Sequence, residues 1–170
     1  MREMPRPAST RAMLDSYRRE KCLELMKIIH PTCIRGNYSE IQALLHNCGT
    51  VTGVDAAEDA LAEAEETDLP ELMKQYAKEN QMILVASREA DLITDGSCVY
   101  RCHNGSRMMA RITGSGCMST VMLGAFLSAE NSVESAVACC AFTGIAGELA
   151  AKETTAQKRG TMTFRNGFID

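Results

Sequence analysis

The run Ile112-Thr113-Gly114-Ser115-Gly116-Cys117-Met118 constrains this chain more than any other, because the hydrophobic period changes across it. Upstream, short apolar segments alternate with turn residues. Downstream, Cys117–Ala129 and the alanine-rich Val133–Lys152 are helical by propensity. A strand that passes through two glycines into a helix belongs to an α/β protein, with helices covering a sheet. The rest of the chain agrees. Helical spacing of Cys22, Leu23, Leu25, Met26 and Ile29 predicts a helix over Tyr17–Ile29, ended by Pro31. Thr32–Ile34 reads as a strand with Gly36-Asn37 as its turn, and Ser39 as the cap of a helix running to about His46. The acidic stretch Asp55–Asp68 predicts a solvated helical face, and Pro70 the start of another helix over Glu71–Lys78. Met82–Ala86 is a compact apolar strand. Leu92–Thr94 and Cys98–Cys102 form a hairpin about Asp95-Gly96, and Asn104-Gly105 turns into a third strand, Met108–Ile112. The chain closes with Thr161–Phe164 and Phe168–Asp170. Residues 1–16 hold no stable period, so the domain is drawn at 17–170 behind a divergent N-terminal segment.

A length of 170 residues suits one domain with a real core. With four Phe, four Tyr, no Trp and a net charge of −4, the chain lacks both the stacking platforms and the basic stripe of a nucleic-acid binder. No uninterrupted apolar run approaches a membrane span, and the first twenty residues lack the apolar stretch of a secretory signal. The expected compartment is the cytoplasm. The eight cysteines include no CxxC pair, so they are expected to be buried free thiols. Cys98, Cys102 and His103 could ligate a metal, but no second pair completes a structural zinc site. His30, His46 and His103 fit no triad.

The glycine run carries the chemistry. Glycines let backbone approach a ligand closely, and N–H groups at a helix start point at an anion with the helix dipole behind them. Such a nest suits the charge that builds on a phosphoryl group during transfer. A thiol at that position is expected to have a depressed pKa, which makes Cys117 a candidate base or nucleophile. The alternative from these residues alone is an ordinary βα turn with a buried cysteine.

The run does not stand alone. Upstream lie Ile34-Arg35-Gly36-Asn37-Tyr38-Ser39-Glu40-Ile41, Gly53-Val54-Asp55 and the string DLITDGSCVYRCHNG; downstream lies Gly144-Ile145-Ala146-Gly147-Glu148. From about Tyr17 to Asp170, this order resembles the hydroxyethylthiazole kinases of the ribokinase-like superfamily. Their pattern is IRGNxxEI, GVD, a TGExD-like turn, TDG, HNG and TGxGC. The resemblance implies a ribokinase-like sheet flanked by helices, truncated at the N-terminus. It further implies transfer of the γ-phosphate of ATP to the primary alcohol of 4-methyl-5-(2-hydroxyethyl)thiazole, with Mg2+, in thiamine salvage. By the same resemblance, Arg35 contacts ATP, Asn37 and Glu40 serve magnesium through water, and Ser87 stands for the nucleotide-contacting Thr of the TGExD turn. Gly114 contacts substrate, Gly114, Ser115, Gly116 and Cys117 form the anion hole, and Gly160-Thr161 is a late loop beside the nucleotide. Cys117 is implied to be the general base.

The pattern also departs from the family. The glycine after the TGExD threonine is replaced by Arg88, which bears on the turn's close backbone contact. Family members carry a strand-rich region before Tyr17 that supplies thiazole contacts and most of a trimer interface. They also carry an Asp-Pro-Val-Gly loop where this chain reads Ala8-Ser9-Thr10-Arg11-Ala12-Met13-Leu14. These departures leave a second reading, a catalytically silent remnant that folds and associates. A third, a cysteine hydrolase on Cys117, lacks a histidine partner motif. Each position also has a bland counterpart: Arg35 pairing with Glu40 across a surface turn, or Ser87 capping a strand end. As an ordered set, the positions favour kinase chemistry.

Overall fold

The computed structural model describes residues 10–47 and 61–170, which leaves Gly53-Val54-Asp55, Cys48 and the first part of the acidic stretch outside it. The chain divides into two compact units, Met1–Pro31 and Thr32–Asp170. The described residues of the first form one helix, α1 (Thr10–Ile29), which begins earlier than the expected Tyr17. The expected Pro31 stop holds: the helix ends two residues before it, with His30 in the left-handed region.

In the second unit four strands form one sheet in the order β1 (Cys33–Asn37), β2 (Ile83–Ser87), β3 (Asp91–Thr94), β4 (Val99–Cys102). β1 and β2 are parallel, pairing Cys33 with Ile83 and Asn37 with Ser87; β3 and β4 follow antiparallel. This register brings the ends of β1 and β2 side by side, with Arg35 opposite Val85. The alternation of side chains then sorts the core into two layers. One face packs on α2 (Tyr38–Asn47) and α3 (Leu61–Asn80), where Ile41, Leu45, Leu69, Met73, Leu84 and Leu92 are all nearly inaccessible. The other packs Ile83, Val85 and Ile93 on Leu123 of α4 (Ser115–Ala129) and Val133, Ala136, Cys139 and Cys140 of α5 (Val133–Ala156). A satellite cluster of Ile112, Ala150 and Phe164 seats α6 (Thr161–Ile169) on α5.

Several expectations are corrected. Gly36 and Asn37 are the last residues of β1, not a turn. The cap of α2 is not Ser39 but a reciprocal pair: Glu40 N–H donates to Asn37 Oδ1 (2.9 Å) and Asn37 N–H to Glu40 Oε2 (2.7 Å). α3 runs through Pro70 rather than starting there, and Leu69, Met73, Tyr76 and Ala77 bury a helical stripe across the proline. Burying that stripe outweighs the one backbone hydrogen bond a proline forfeits. Met108–Ile112 is not a strand but a 3-10 turn at Met109–Arg111, and the closing segments are the single helix α6. α5 has the length and mean hydropathy of a membrane span, although Glu134, Glu148, Lys152 and Glu153 interrupt its apolar run. Here it is the core helix, packed on β2, β3 and β4 between α4 and α6. Of the described cysteines only Cys139 and Cys140 are buried, whereas Cys22, Cys98 and Cys117 are exposed; all are free thiols.

Candidate functional site

The ends of β1 and β2 and the starts of α2 and α4 border one cleft of about 940 Å3. It brings together Arg35, Asn37, Glu40, Ser87, Ser115, Gly116 and Cys117, which the sequence separates by up to 82 residues. Gly114 stands at its edge as the residue that starts α4. Gly160 and Thr161 are not brought there: Gly160 caps the start of α6 away from the lining residues.

The start of α4 is built so that its amides stay available. Gly114 takes φ 97°, a left-handed conformation, and provides no side chain to cap the helix. The hydroxyl of Ser115, which could have served the helix, donates instead to Met109 O at 2.9 Å. The first-turn N–H groups of Ser115, Gly116 and Cys117 thus have no side-chain cap, which is the condition for an anion nest. Cys117 lies exposed in that turn and shares the cleft with Arg35 and Ser87.

Arg35 joins β1 to this turn. Its Nη1 donates to Gly116 O (3.1 Å) and Thr120 Oγ1 (3.3 Å), so it braces α4 instead of pairing with Glu40 across a turn. The Asp91 carboxyl also lines the cleft; burial pushes its pKa up, while Arg35 and hydrogen bonding at the turn oppose the shift. Burial likewise pushes Cys33 up to about 12 and raises Cys139 and Cys140, so these sheet-side thiols stay protonated and inert. Ser87 Oγ is buried with no partner in hydrogen-bonding geometry, although it lies near enough to Asp91 to favour the charged carboxylate.

Residues beyond the sequence-derived set shape the cleft. The segment 104–109 is pinned to α5: Asn104 Nδ2 donates to Ala141 O (2.6 Å), and Gly105 N–H donates to Glu148 Oε1 (2.8 Å). A Cβ at Gly144 would run into the Asn104 amide, and one at Gly147 into Met109 Sδ. The close approach of loop and helix therefore favours glycine at Gly144, where the Asn104 amide is held by Ala141 O, more than at Gly147, where the flexible Met109 side chain can give way. The motif Gly144-Ile145-Ala146-Gly147-Glu148 was visible in sequence, but its role as a seat for the Asn104-Gly105 loop was not. Asp91 is the last letter of the TGExD-like turn and could have been added on that signal.

Comparisons with known proteins follow the same residues. The model of the hydroxyethylthiazole kinase family matches residues 7–170. A protein named hydroxyethylthiazole kinase 1 from Methanosphaera stadtmanae is 36% identical over 164 residues, covering 92% of this chain and 58% of its own length. A hydroxyethylthiazole kinase from Staphylococcus carnosus is 34% identical over 156 residues, 91% of this chain and 56% of its own. The chain thus spans little more than half the length of these curated relatives. The solved structure of a hydroxyethylthiazole kinase protein from Pyrococcus horikoshii superposes with a TM-score of 0.69 at 24% identity, over 90% of this chain and 54% of that one. At that identity the superposition speaks for the fold.

Proposed function

Because the chain belongs to the hydroxyethylthiazole kinase family, we propose that it acts in ATP-dependent phosphorylation of the primary alcohol of 4-methyl-5-(2-hydroxyethyl)thiazole. One observation carries this reading: an exposed thiol and an uncapped helix start share a cleft with Arg35 and Ser87.

In the proposed reaction the acceptor alcohol lies beside Cys117, whose sulfur takes the hydroxyl proton. The alkoxide oxygen forms a bond to the γ-phosphorus as the bond to the β–γ bridging oxygen breaks, and ADP leaves with that electron pair. The amides of Ser115, Gly116 and Cys117 receive the charge on the γ-phosphoryl oxygens. Arg35 presents a guanidinium fork to the phosphates and holds α4 in register through Gly116 O. The hydroxyl of Ser87 supplies a donor that has no partner within the protein.

The cleft fits a divalent cation carried on the nucleotide. Glu40 uses Oε2 in the helix cap and keeps Oε1, Asp91 lies on the same lining, and no three His, Cys, Asp or Glu side chains converge among the described residues. Such a sparse set suits Mg2+ held through water by Glu40 and Asn37, not a caged ion, and the ion would neutralise phosphate charge. The role of Gly160 and Thr161 beside the nucleotide rests on the family resemblance alone. So does a homotrimeric assembly, although the outward Phe142, Ile145 and Leu149 of α5 are compatible with association; the cytoplasmic setting rests on the sequence reading given above.

The test is direct. Purified chain with Mg-ATP and the thiazole alcohol is expected to release ADP and yield the thiazole phosphate in equal amounts. Absence of alcohol-dependent ADP would reject the reading. An acceptor panel including hydroxymethylpyrimidine fixes the substrate.

A further inference from the structure

We propose that Thr120 is a positioning residue: its hydroxyl holds the Arg35 guanidinium against α4 and away from Asp91, so that the charge meets the polyphosphate of the co-substrate. This rests on the kinase reading above and adds a residue to it. Thr120 lines the same cleft as Arg35, Asp91 and Cys117.

A threonine inside a helix commonly donates its hydroxyl to the carbonyl four residues back, and Thr120 does so, to Gly116 O at 3.0 Å. That bond uses the one hydroxyl proton and leaves the oxygen to accept. Arg35 Nη1 donates to it at 3.3 Å and to Gly116 O at 3.1 Å. Guanidinium, hydroxyl and carbonyl therefore form a closed triangle between β1 and α4. Branching at Cβ narrows the choice of χ1, so the hydroxyl has little freedom to leave it. The helix is anchored close by, since Leu123, three residues on, is buried in the core with Val85 and Ile93.

Charge shows what the triangle prevents. Asp91 lies on the same lining, near enough for the Arg35 charge to oppose the effect of burial on its carboxyl. Yet the hydrogen bonds of Arg35 among the described residues run to neutral oxygens of α4, and none runs to this carboxylate. A guanidinium forked onto a carboxylate would spend both its charge and its paired donors there. Held instead by a carbonyl and a hydroxyl through Nη1, Arg35 keeps its charge and has Nη2 and Nε to offer phosphate oxygens. Losing the hydroxyl removes one of the two holds and lets the side chain turn to Asp91.

Calorimetric titration of the full chain with Mg-ATP, in the parent and in an Asp91→Asn background, tests this, alongside a melting curve for each variant. Thr120→Val keeps the shape without the hydroxyl and is expected to weaken Mg-ATP about tenfold in the parent. In the Asp91→Asn background the competing charge is gone, and the same substitution should weaken binding less than about threefold. Thr120→Ser should recover most of the affinity, because it restores both contacts. Thr120→Ala replaces the valine variant if valine lowers the melting temperature. A loss of equal size in both backgrounds, or no loss in the parent, overturns the assignment and leaves Thr120 a back-bonded helix residue. If the parent chain binds no Mg-ATP, the kinase reading itself falls and the role of Thr120 falls with it.

Discussion

Two helices begin at the cleft, and they begin differently. At α2 the side chains of Asn37 and Glu40 close a reciprocal cap, so two of the amides that every helix start leaves open are satisfied. At α4 the capping position is a glycine in a left-handed conformation, and the neighbouring serine hydroxyl is spent on Met109 O. The first arrangement favours stability, with a cap of this kind contributing about 1 kcal/mol. The second forgoes that contribution and keeps amides for a ligand. A helix start that stays uncapped while its own serine turns away leaves its amides able to meet an anion, and that is where Cys117 stands.

The sharpest way to break this contrast is Cys117→Ala. The thiol is exposed, so the melting temperature should hold while turnover falls by about a hundredfold or more. Nucleotide binding, measured by titration, should persist. A variant that turns over at the parental rate would reduce α4 to an ordinary βα connection.

The two glycines of the same turn should separate conformation from contact. A Cβ at Gly114 meets nothing within 4 Å, so Gly114→Ala is penalised only by its φ of 97°. It should lose about 1 kcal/mol of stability, together with activity. Gly116 has a helical conformation, and its Cβ would sit 3.8 Å from Arg35 Nη1, an ordinary contact. Gly116→Ala should therefore gain up to about 1 kcal/mol while transfer slows. Denaturation curves and rates on the two variants give opposite signs for stability and the same sign for activity. Matching stability losses would show that Gly114 has no special backbone role.

What could be read in advance follows the same division. The glycine-to-helix passage at Gly114–Met118 declares itself because a left-handed residue ahead of a helix favours glycine, although the strand expected before it is a 3-10 turn. Arg35, Ser87 and Cys117 were grouped from a one-dimensional pattern, and the parallel register of β1 on β2 explains why they meet. The failures occur where tertiary partners decide. Met108–Ile112 has strand-like composition, but Asn104 and Glu148 fix the preceding loop on α5 and fold the segment into a 3-10 turn. Pro70 signals a helix start, yet the buried stripe on both sides keeps α3 continuous. Local propensity carries no term for either of these long-range contacts.

At α2 the question is whether Asn37 and Glu40 do more than cap. Asn37→Ala removes one half of the box and should lower stability by about 1 kcal/mol. Glu40→Gln keeps an oxygen able to accept Asn37 N–H but loses the charge. Its melting temperature should stay near the parent, while the magnesium concentration needed for half-maximal turnover rises several-fold, on the order of 1 kcal/mol of lost ion affinity. An unchanged magnesium dependence would make α2 a purely structural start and sharpen its difference from α4.

The smallest effect is expected at Asp91, between the two helices. Burial raises its folded pKa above the ordinary 3.8, with Arg35 and the hydrogen bonds of the turn opposing. A carboxyl raised in this way gives the folded state an advantage while it is protonated, and that advantage is lost as pH climbs from the unfolded pKa through the folded one. At neutral pH wild type therefore carries a charge that the fold disfavours. Asp91→Asn can still accept the Arg88 N–H through its amide oxygen, so the turn should keep its shape. Melting curves from pH 3 to pH 8 should show the variant equal to or above wild type at pH 7, with the gap closing as acid protonates Asp91. A variant less stable than wild type at pH 7 would mean that attraction from Arg35 outweighs burial, and that the cleft depends on this carboxylate being charged.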